Sequence, residues 1–363
     1  MKAINKNRII IATGGTGGHI FPAYSLAKNF IKNDYSVKII TDKRGLKYLG
    51  KDKDIELFLN NSATIFKKNL INSFMSILTI SFSYLRSLII LYRAKPMIIF
   101  GMGGHASFPV CIAARTLNIP FIVYENNIQI GRSNKYLLPF AFKIFVSYKE
   151  LLGIKDKYKH KVIVTGNIIR DEILNFKKIN KFKTGVLNIL VLGGSQAAKS
   201  FGDLLPNIFE KCITENIKIK IFQQCIESQT NKLSERYKNL NLDYELFNFT
   251  NNILEYFSKT ELAITRSGSS VTAELINCNI PFISIPYPHS ADSHQDKNAT
   301  YFEKKGYSFS VRETEVDEKL FPLIKTFYKN EKLLNKIIEK QREHSDKDVF
   351  LKINKIVENL KNE

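Results

Sequence analysis

Short, unbroken apolar runs alternate along this chain with longer stretches in which apolar residues recur at helical spacing. Arg8-Ile9-Ile10-Ile11-Ala12 and Ser36-Val37-Lys38-Ile39-Ile40-Thr41-Asp42 have the run length of strands in a parallel sheet, and Phe21–Ile31 between them follows the 3.6-residue period of a helix. The alternation continues with strands over Pro96–Phe100, Pro120–Tyr124, Lys143–Ser147 and Lys161–Thr165, and a helix over Pro109–Leu117. Residues 171–186 are polar and rich in Lys and Asn, as a linker is, and the same grammar restarts after them. Leu187–Leu192, Ile217–Gln223, Leu262–Thr265 and Pro281–Ile285 are strands; helices run from Ala197 to Asn207 or beyond and over Val271–Asn277; residues 331–360 are helical and strongly charged. Strand alternating with helix in both halves predicts an α/β protein of two doubly wound parallel-sheet domains. A chain of 363 residues fits two such cores better than one, with the break placed near 168/169.

Leu70–Tyr92 departs from this rhythm. It is the longest apolar stretch, and its length nearly spans a bilayer. Asn72, five serines, Thr79 and Arg86 interrupt it, and a spanning helix there would split one α/β domain. Two readings stand: a helix pair buried in the domain, or a helix that docks one face on a membrane, flanked by Lys67, Lys68, Arg86, Arg93 and Lys95.

Composition adds two constraints. Lys and Arg outnumber Asp and Glu by 54 to 34, a net charge of +20, which favours an anionic partner such as nucleic acid, a phospholipid surface or a polyanionic substrate. No nucleic-acid-binding motif or concentrated basic stripe accompanies it, so nucleic acid is not expected as a partner. Cys111, Cys212, Cys225 and Cys278 lie far apart without metal-like spacing, as reduced structural thiols do, and strand-like residues begin by Arg8 where a leader would have its apolar core.

The candidate chemistry sits in glycine-rich turns that each follow a predicted strand: Thr13-Gly14-Gly15-Thr16-Gly17-Gly18-His19, Gly101-Met102-Gly103-Gly104-His105 and Gly193-Gly194-Ser195-Gln196. Glycine lets a backbone approach a ligand, and a following helix aims its amides at the same spot, which suits phosphate. The first turn matches neither common nucleotide pattern. A dinucleotide fingerprint begun at Gly15 needs a small residue where Ile20 stands, and a P-loop needs glycine where His19 stands. His19 opens the next helix, whose N-terminus disfavours a cationic imidazole, so it is a candidate general base. Glu125 ends a strand in Tyr124-Glu125-Asn126-Asn127 and is the second candidate. In the second half, Arg266-Ser267-Gly268-Ser269 leads into a helix bearing Glu274, and His289, Asp292, His294, Gln295, Asp296 and Asn298 gather groups that read sugar hydroxyls; their spacing matches no metal site.

The ordered set of these motifs resembles the bacterial glycosyltransferases that add N-acetylglucosamine to undecaprenyl-pyrophosphoryl-muramoyl-pentapeptide in peptidoglycan synthesis. It comprises Thr13–His19 with Phe21-Pro22, Gly101–Gly104, Glu125 to Asn127, Thr165-Gly166-Asn167 with Arg170, Gly193–Gln196, Arg266-Ser267-Gly268, Glu274, and Gln295 with Asn298-Ala299. The resemblance implies the GT-B architecture: two Rossmann-like domains facing across a cleft, an acceptor- and membrane-facing domain over 1–168, a UDP-sugar domain over 169–345, and a helix over 346–363 crossing back to the first. It implies inverting, metal-independent transfer with no cofactor, from UDP-N-acetylglucosamine to the undecaprenyl-pyrophosphate-linked muramoyl peptide, by a peripheral enzyme on the cytoplasmic face of the inner membrane. Leu70–Tyr92 would meet the anionic leaflet. By the same resemblance, Thr16, Gly17, Gly18, Asn127, Arg170, Ser195, Gln196, Thr250, Arg266, Glu274 and Gln295 would bind the donor, with uracil near Phe249-Thr250. Gly14, Gly15, Gly17, Gly18, Gly103 and Gly104 would receive the acceptor pyrophosphate, and His19 or Glu125 would take the proton. Tyr124, Asn126, His105 and His294 stand where the family commonly has histidine, glutamine, tyrosine and glutamine. A UDP-sugar transferase with another lipid acceptor is the alternative; a nicotinamide-dependent oxidoreductase using the first turn and Asp42 is a more distant one.

Overall fold

The computed structural model describes residues 5–15, 17–49, 55–60, 70–178, 185–248, 250 and 252–362. The chain forms two compact units, Met1–Asp171 with Asp346–Glu363, and Glu172–Ser345.

The first unit contains β1 (Asn5–Ala12), α1 (Gly17–Lys32), β2 (Ser36–Thr41), α2 (Lys43–Leu49), β3 (Glu56–Leu59), α3 (Leu70–Ala94), β4 (Pro96–Gly101), α4 (Ser107–Thr116), β5 (Phe121–Glu125), α5 (Arg132–Leu137), β6 (Lys143–Val146) and β7 (Val162–Val164). Its seven strands are parallel in the order β3-β2-β1-β4-β5-β6-β7. A short helix, α6 (Asp171–Leu174), begins where the chain leaves this unit. The second unit contains β8 (Leu187–Leu192), α7 (Gly194–Thr214), β9 (Ile219–Gln224), α8 (Glu227–Asn239), β10 (Asp243–Phe247), α9 (Ile253–Lys259), β11 (Leu262–Thr265), α10 (Ser269–Asn277), β12 (Phe282–Ser284), α11 (His294–Lys304), β13 (Ser308–Ser310), α12 (Val316–Lys329) and α13 (Glu331–Arg342). Its six parallel strands run β10-β9-β8-β11-β12-β13. In each sheet the winding reverses beside the first strand, between β1 and β4 and between β8 and β11. Open α/β sheets bind ligands at such a reversal, outside the strands' carboxyl ends.

The central strands are the continuous apolar runs of the sequence, because helices cover both faces; Ile9–Ala12 and Ile98–Phe100 are fully buried. The runs that sequence reading passed over, β3, β10 and β13, are short edge strands with half-exposed positions. Helix-to-strand connections share one device. Asp34, Asn118, Asn216, Asn241, Asn279 and Gly306 adopt positive φ at helix ends. The amide of the next residue bonds back to the last turn, as Ile119 does to Ala114 (2.9 Å) and Ile280 to Leu275 (3.0 Å). This Schellman turn stops the helix and sends an apolar residue into the core.

The charged tail is two helices. After α13 the chain rejoins the first unit, where α14 (Val349–Asn362) packs on α1 through Asn354 Oδ1, which accepts from Asn29 Nδ2 at 2.7 Å. The buried Asp346 carboxylate pins the return by accepting from the Asn167 amide at 2.8 Å and from its Nδ2 at 3.1 Å.

Leu70–Tyr92 is not a buried helix pair. It lies in the single helix α3, 25 residues long, and its polarity is reversed relative to a core helix. Ser76, Ser83 and Ser87 are buried, and Asn60 donates to Ser83 O and Ser87 Oγ beneath them. Phe74, Leu78, Phe82, Leu85, Ile89 and Tyr92, at i, i+4, i+8, i+11, i+15 and i+18, form an exposed stripe. Residues Phe74–Ala94 are long and apolar enough to cross a membrane by length and composition, with mean hydropathy 1.7, while α3 packs against α4 through Tyr84 Oη and Thr116 Oγ1 at 3.0 Å. Lys67 and Lys68 lie outside the described residues.

Candidate active site

On the first unit, both glycine turns lie at the sheet reversal, one after β1 and one after β4, and they touch. A Cβ on Gly104 would stand 2.3 Å from Gly14 O, and one on Gly14 would stand 2.6 Å from Ala106 Cβ; Gly103 and Gly104 also hold φ of +87° and +75°. These contacts and angles exclude side chains, so the glycines are required by the way the loops nest. Met102 N–H donates to Ala12 O at 2.8 Å and ties the second loop to the end of β1.

His19 lies in the first turn of α1, and its ring rests on the second loop, since a Cβ on Gly103 would be 2.9 Å from both Cε1 and Nδ1. Thr13 Oγ1 donates to His19 O at 3.1 Å. A third loop, after β5, clamps the same turn: Asn126 Nδ2 donates to Gly18 O at 2.9 Å. Glu125 is buried beneath it and accepts four donors: Asn127 N (3.1 Å) and Asn127 Nδ2 (3.0 Å) on Oε1, Gly131 N (2.8 Å) and Asn134 Nδ2 (2.9 Å) on Oε2. A carboxylate so filled braces its loop. Asn127 spends its amide hydrogens on Glu125 and on Asn126 Oδ1 (3.1 Å). Arg170 is half-buried just before α6, and Thr16 lies outside the described residues.

Asp42 is the N-cap of α2. It accepts from Gly45 N at 2.9 Å, and it also accepts from Gly15 N at 3.2 and 3.3 Å, which stitches the first glycine loop to β2. Burial alone would raise its pKa; the bonds from Gly45, Arg44 and Gly15 prevail and hold the carboxyl below its ordinary value. The oxidoreductase reading needs this group to face a ribose, and it is instead occupied within the fold.

On the second unit, α7, α10 and α11 all begin beyond strand carboxyl ends. Ser195 and Gln196 lie in the first turn of α7, directly after β8. Glu274 is buried on α10. Gln295 lies in the first turn of α11 and accepts from Tyr287 N at 2.9 Å. Asp292 and Ser293, just before it, adopt φ of +53° and +52°, a strained pair of the kind that clusters where a loop is shaped for ligand. Thr250 Oγ1 accepts from Asn252 N at 3.0 Å, and Phe249 lies outside the described residues. Arg266 does not present its charge. It is 5% exposed, donates to Ile285 O (3.1 Å), Pro286 O (3.2 Å) and Ser200 Oγ (3.1 Å), pairs with Glu313 and stacks over Phe201. Among the described residues, no group of three or more His, Cys, Asp or Glu side chains has metal-binding geometry.

Comparison with known proteins follows this division. The N-terminal domain model of glycosyltransferase family 28 matches residues 9–146, and its C-terminal domain model matches residues 188–352. A Pelagibacter ubique protein named UDP-N-acetylglucosamine--N-acetylmuramyl-(pentapeptide) pyrophosphoryl-undecaprenol N-acetylglucosamine transferase is 35% identical over 312 residues, 86% of each chain. The chain belongs to glycosyltransferase family 28. A Rickettsia canadensis protein of the same name is 34% identical to this family 28 chain, covering 90% of it and 92% of the relative. The crystal structure of Acinetobacter baumannii MurG superposes with a TM-score of 0.76 at 23% identity, over 97% of this chain and 99% of that one. These matches and the two parallel sheets establish a GT-B fold with two Rossmann-like domains.

Sequence reading passed over Asn134, Arg44 and Asp346, and took Asn126 only as part of its motif and not as a clamp. Asp42, read there only as the acid of the oxidoreductase alternative, is a residue type favoured at an N-cap and stands directly before α2.

Proposed function

We propose that this family 28 chain transfers N-acetylglucosamine from UDP-N-acetylglucosamine to the muramoyl sugar of undecaprenyl-pyrophosphoryl-muramoyl-pentapeptide, with inversion, forming the β-1,4 link of a peptidoglycan precursor. The observation that carries the reading is the closure of three loops around His19 at the sheet reversal of the first unit, in a chain whose relatives carry that enzyme's name. The glycine loops take the acceptor pyrophosphate and His19 removes the proton of the attacking hydroxyl, a step worth about 10²–10⁴-fold. Glu125 acts behind it as the brace of the third loop.

The second unit takes the donor. The start of α7 offsets charge on the departing UDP, Glu274 takes the ribose hydroxyls and Gln295 those of the sugar. Arg266 serves as an internal strut for the β11–α10 turn.

The exposed stripe of α3, with Arg86 and Arg93 exposed beside it, docks on an anionic leaflet and brings the unit to its lipid-linked acceptor, which makes the enzyme a peripheral protein of the cytoplasmic membrane face. His19→Ala, assayed with both substrates saturating, should lose about 10²–10⁴ in kcat with donor KM retained. Near wild-type turnover overturns the assignment of the base.

A further inference from the structure

We propose that Arg44, aimed by Asp42, is the side chain that carries the acceptor's diphosphate on the first unit; this rests on the reading of the two glycine loops as the acceptor site. The loops by themselves make a poor anion cradle. The Gly15 N–H is already given to both oxygens of Asp42, at 3.3 and 3.2 Å. That carboxylate is buried directly beneath the turn, with Oδ2 3.3 Å from where a Cβ on Gly14 would stand. A diphosphate arriving there meets a fixed negative charge, which a cation must offset.

Arg44 is built to do so. Its Nε and Nη2 donate to Asp42 Oδ2 at 3.1 and 2.8 Å, and Gly45 N–H holds Oδ1 at 2.9 Å, so the carboxylate cannot turn away. The Arg44 side chain is 59% exposed, unlike the 8% exposed side chain of Asp42, and its Nη2 lies 3.8 Å from the Cβ position of Gly15. Five donors less two leaves three N–H groups without an acceptor among the described residues, in the planar fork that matches phosphate oxygens. His105, exposed on the second loop, is near enough to Arg44 and Asp42 to feel both charges. Asp42 is thus a positioning residue that aims the guanidinium, and Arg44 contacts the ligand.

The test is steady-state transfer to a short-chain, diphosphate-linked muramoyl peptide, with inorganic pyrophosphate as a competing anion. Arg44→Ala should raise acceptor KM about tenfold or more, the worth of one charge-assisted hydrogen bond, weaken pyrophosphate inhibition in parallel and leave donor KM unchanged. Arg44→Lys, which keeps a cation beside Asp42 and guards against misfolding, should recover part of the loss. Wild-type acceptor KM and pyrophosphate inhibition in an active Arg44→Ala protein overturn the proposal, as does an equal rise in donor KM. Absence of transfer by the wild-type chain overturns the proposed function instead; pyrophosphate binding by calorimetry, present in wild type and lost in Arg44→Ala, would then still support an anion site at Arg44, and equal binding would refute it.

Discussion

Replacing Phe82, Leu85 and Ile89 of α3 by serine should detach the protein from anionic vesicles without unfolding it. The three side chains are 69%, 56% and 55% exposed. Full burial of such a side chain is worth about 2 kcal/mol, so the fraction still open to an interface amounts to roughly 3.5 kcal/mol for the three, a few hundred-fold in partitioning. The same exposure means that the fold gains little from them, and the triple variant should melt within a few degrees of the parent. The buried side of the helix behaves in the opposite way. Ser83 and Ser87 bind Asn60, so Ser87→Leu should destabilise the unit and leave vesicle affinity intact. Co-sedimentation with vesicles containing anionic lipid, at low and moderate salt, reads the first effect, and thermal unfolding reads the second. Unchanged sedimentation of the triple variant would refute the docking argument. A large fall in its melting temperature would show instead that the stripe is buried against protein.

Two further outcomes follow from buried carboxylates. Asp346→Ala removes the acceptor for a buried amide and a buried side-chain donor of Asn167, and should lower unfolding free energy by about 2–4 kcal/mol in a denaturant titration; a loss below 1 kcal/mol contradicts its role as the anchor of the returning chain. Asp42 is depressed in the folded state, so its contribution is fully present above the unfolded carboxylate pKa of about 3.9 and is lost as pH falls through the lower folded value. Asp42→Asn should therefore lose stability at neutral pH and show a shallower acid limb than the parent, and parallel pH profiles would contradict that sign.

The alternating grammar of the sequence carried the two sheets because central parallel strands are buried on both faces and must be apolar throughout. It passed over β3, β10 and β13 because an edge strand needs no such run. The Asn at the end of several helices was a stronger boundary signal than any run: Asn118-Ile119, Asn216-Ile217, Asn241-Leu242 and Asn279-Ile280 each mark a left-handed residue followed by an apolar one entering a strand. Helix α3 shows the limit of pattern reading. Its serines argued against a membrane span when taken as composition, and Ser76, Ser83 and Ser87 prove to be buried, which leaves the exposed stripe from Phe74 to Tyr92 to apolar and aromatic side chains. Periodicity finds the two faces; it takes the position of Asn60 to say which faces inward. In the site, His19 and the glycines were legible because turn chemistry is local. The Glu125 brace, the Asn126 clamp and the Asp42–Arg44 pair were not, because each depends on residues brought together by the sheet.

Product analysis measures the sugar transfer itself. Purified protein, UDP-N-acetylglucosamine and a short-chain undecaprenyl-type pyrophosphoryl-muramoyl peptide are incubated with a chelator, and the lipid product and free UDP are followed by mass spectrometry. The expected products are one N-acetylhexosamine added per acceptor and one UDP released per transfer, with no dependence on divalent metal. UDP released without a glycosylated acceptor, or transfer that stops when metal is chelated, would contradict the proposed function.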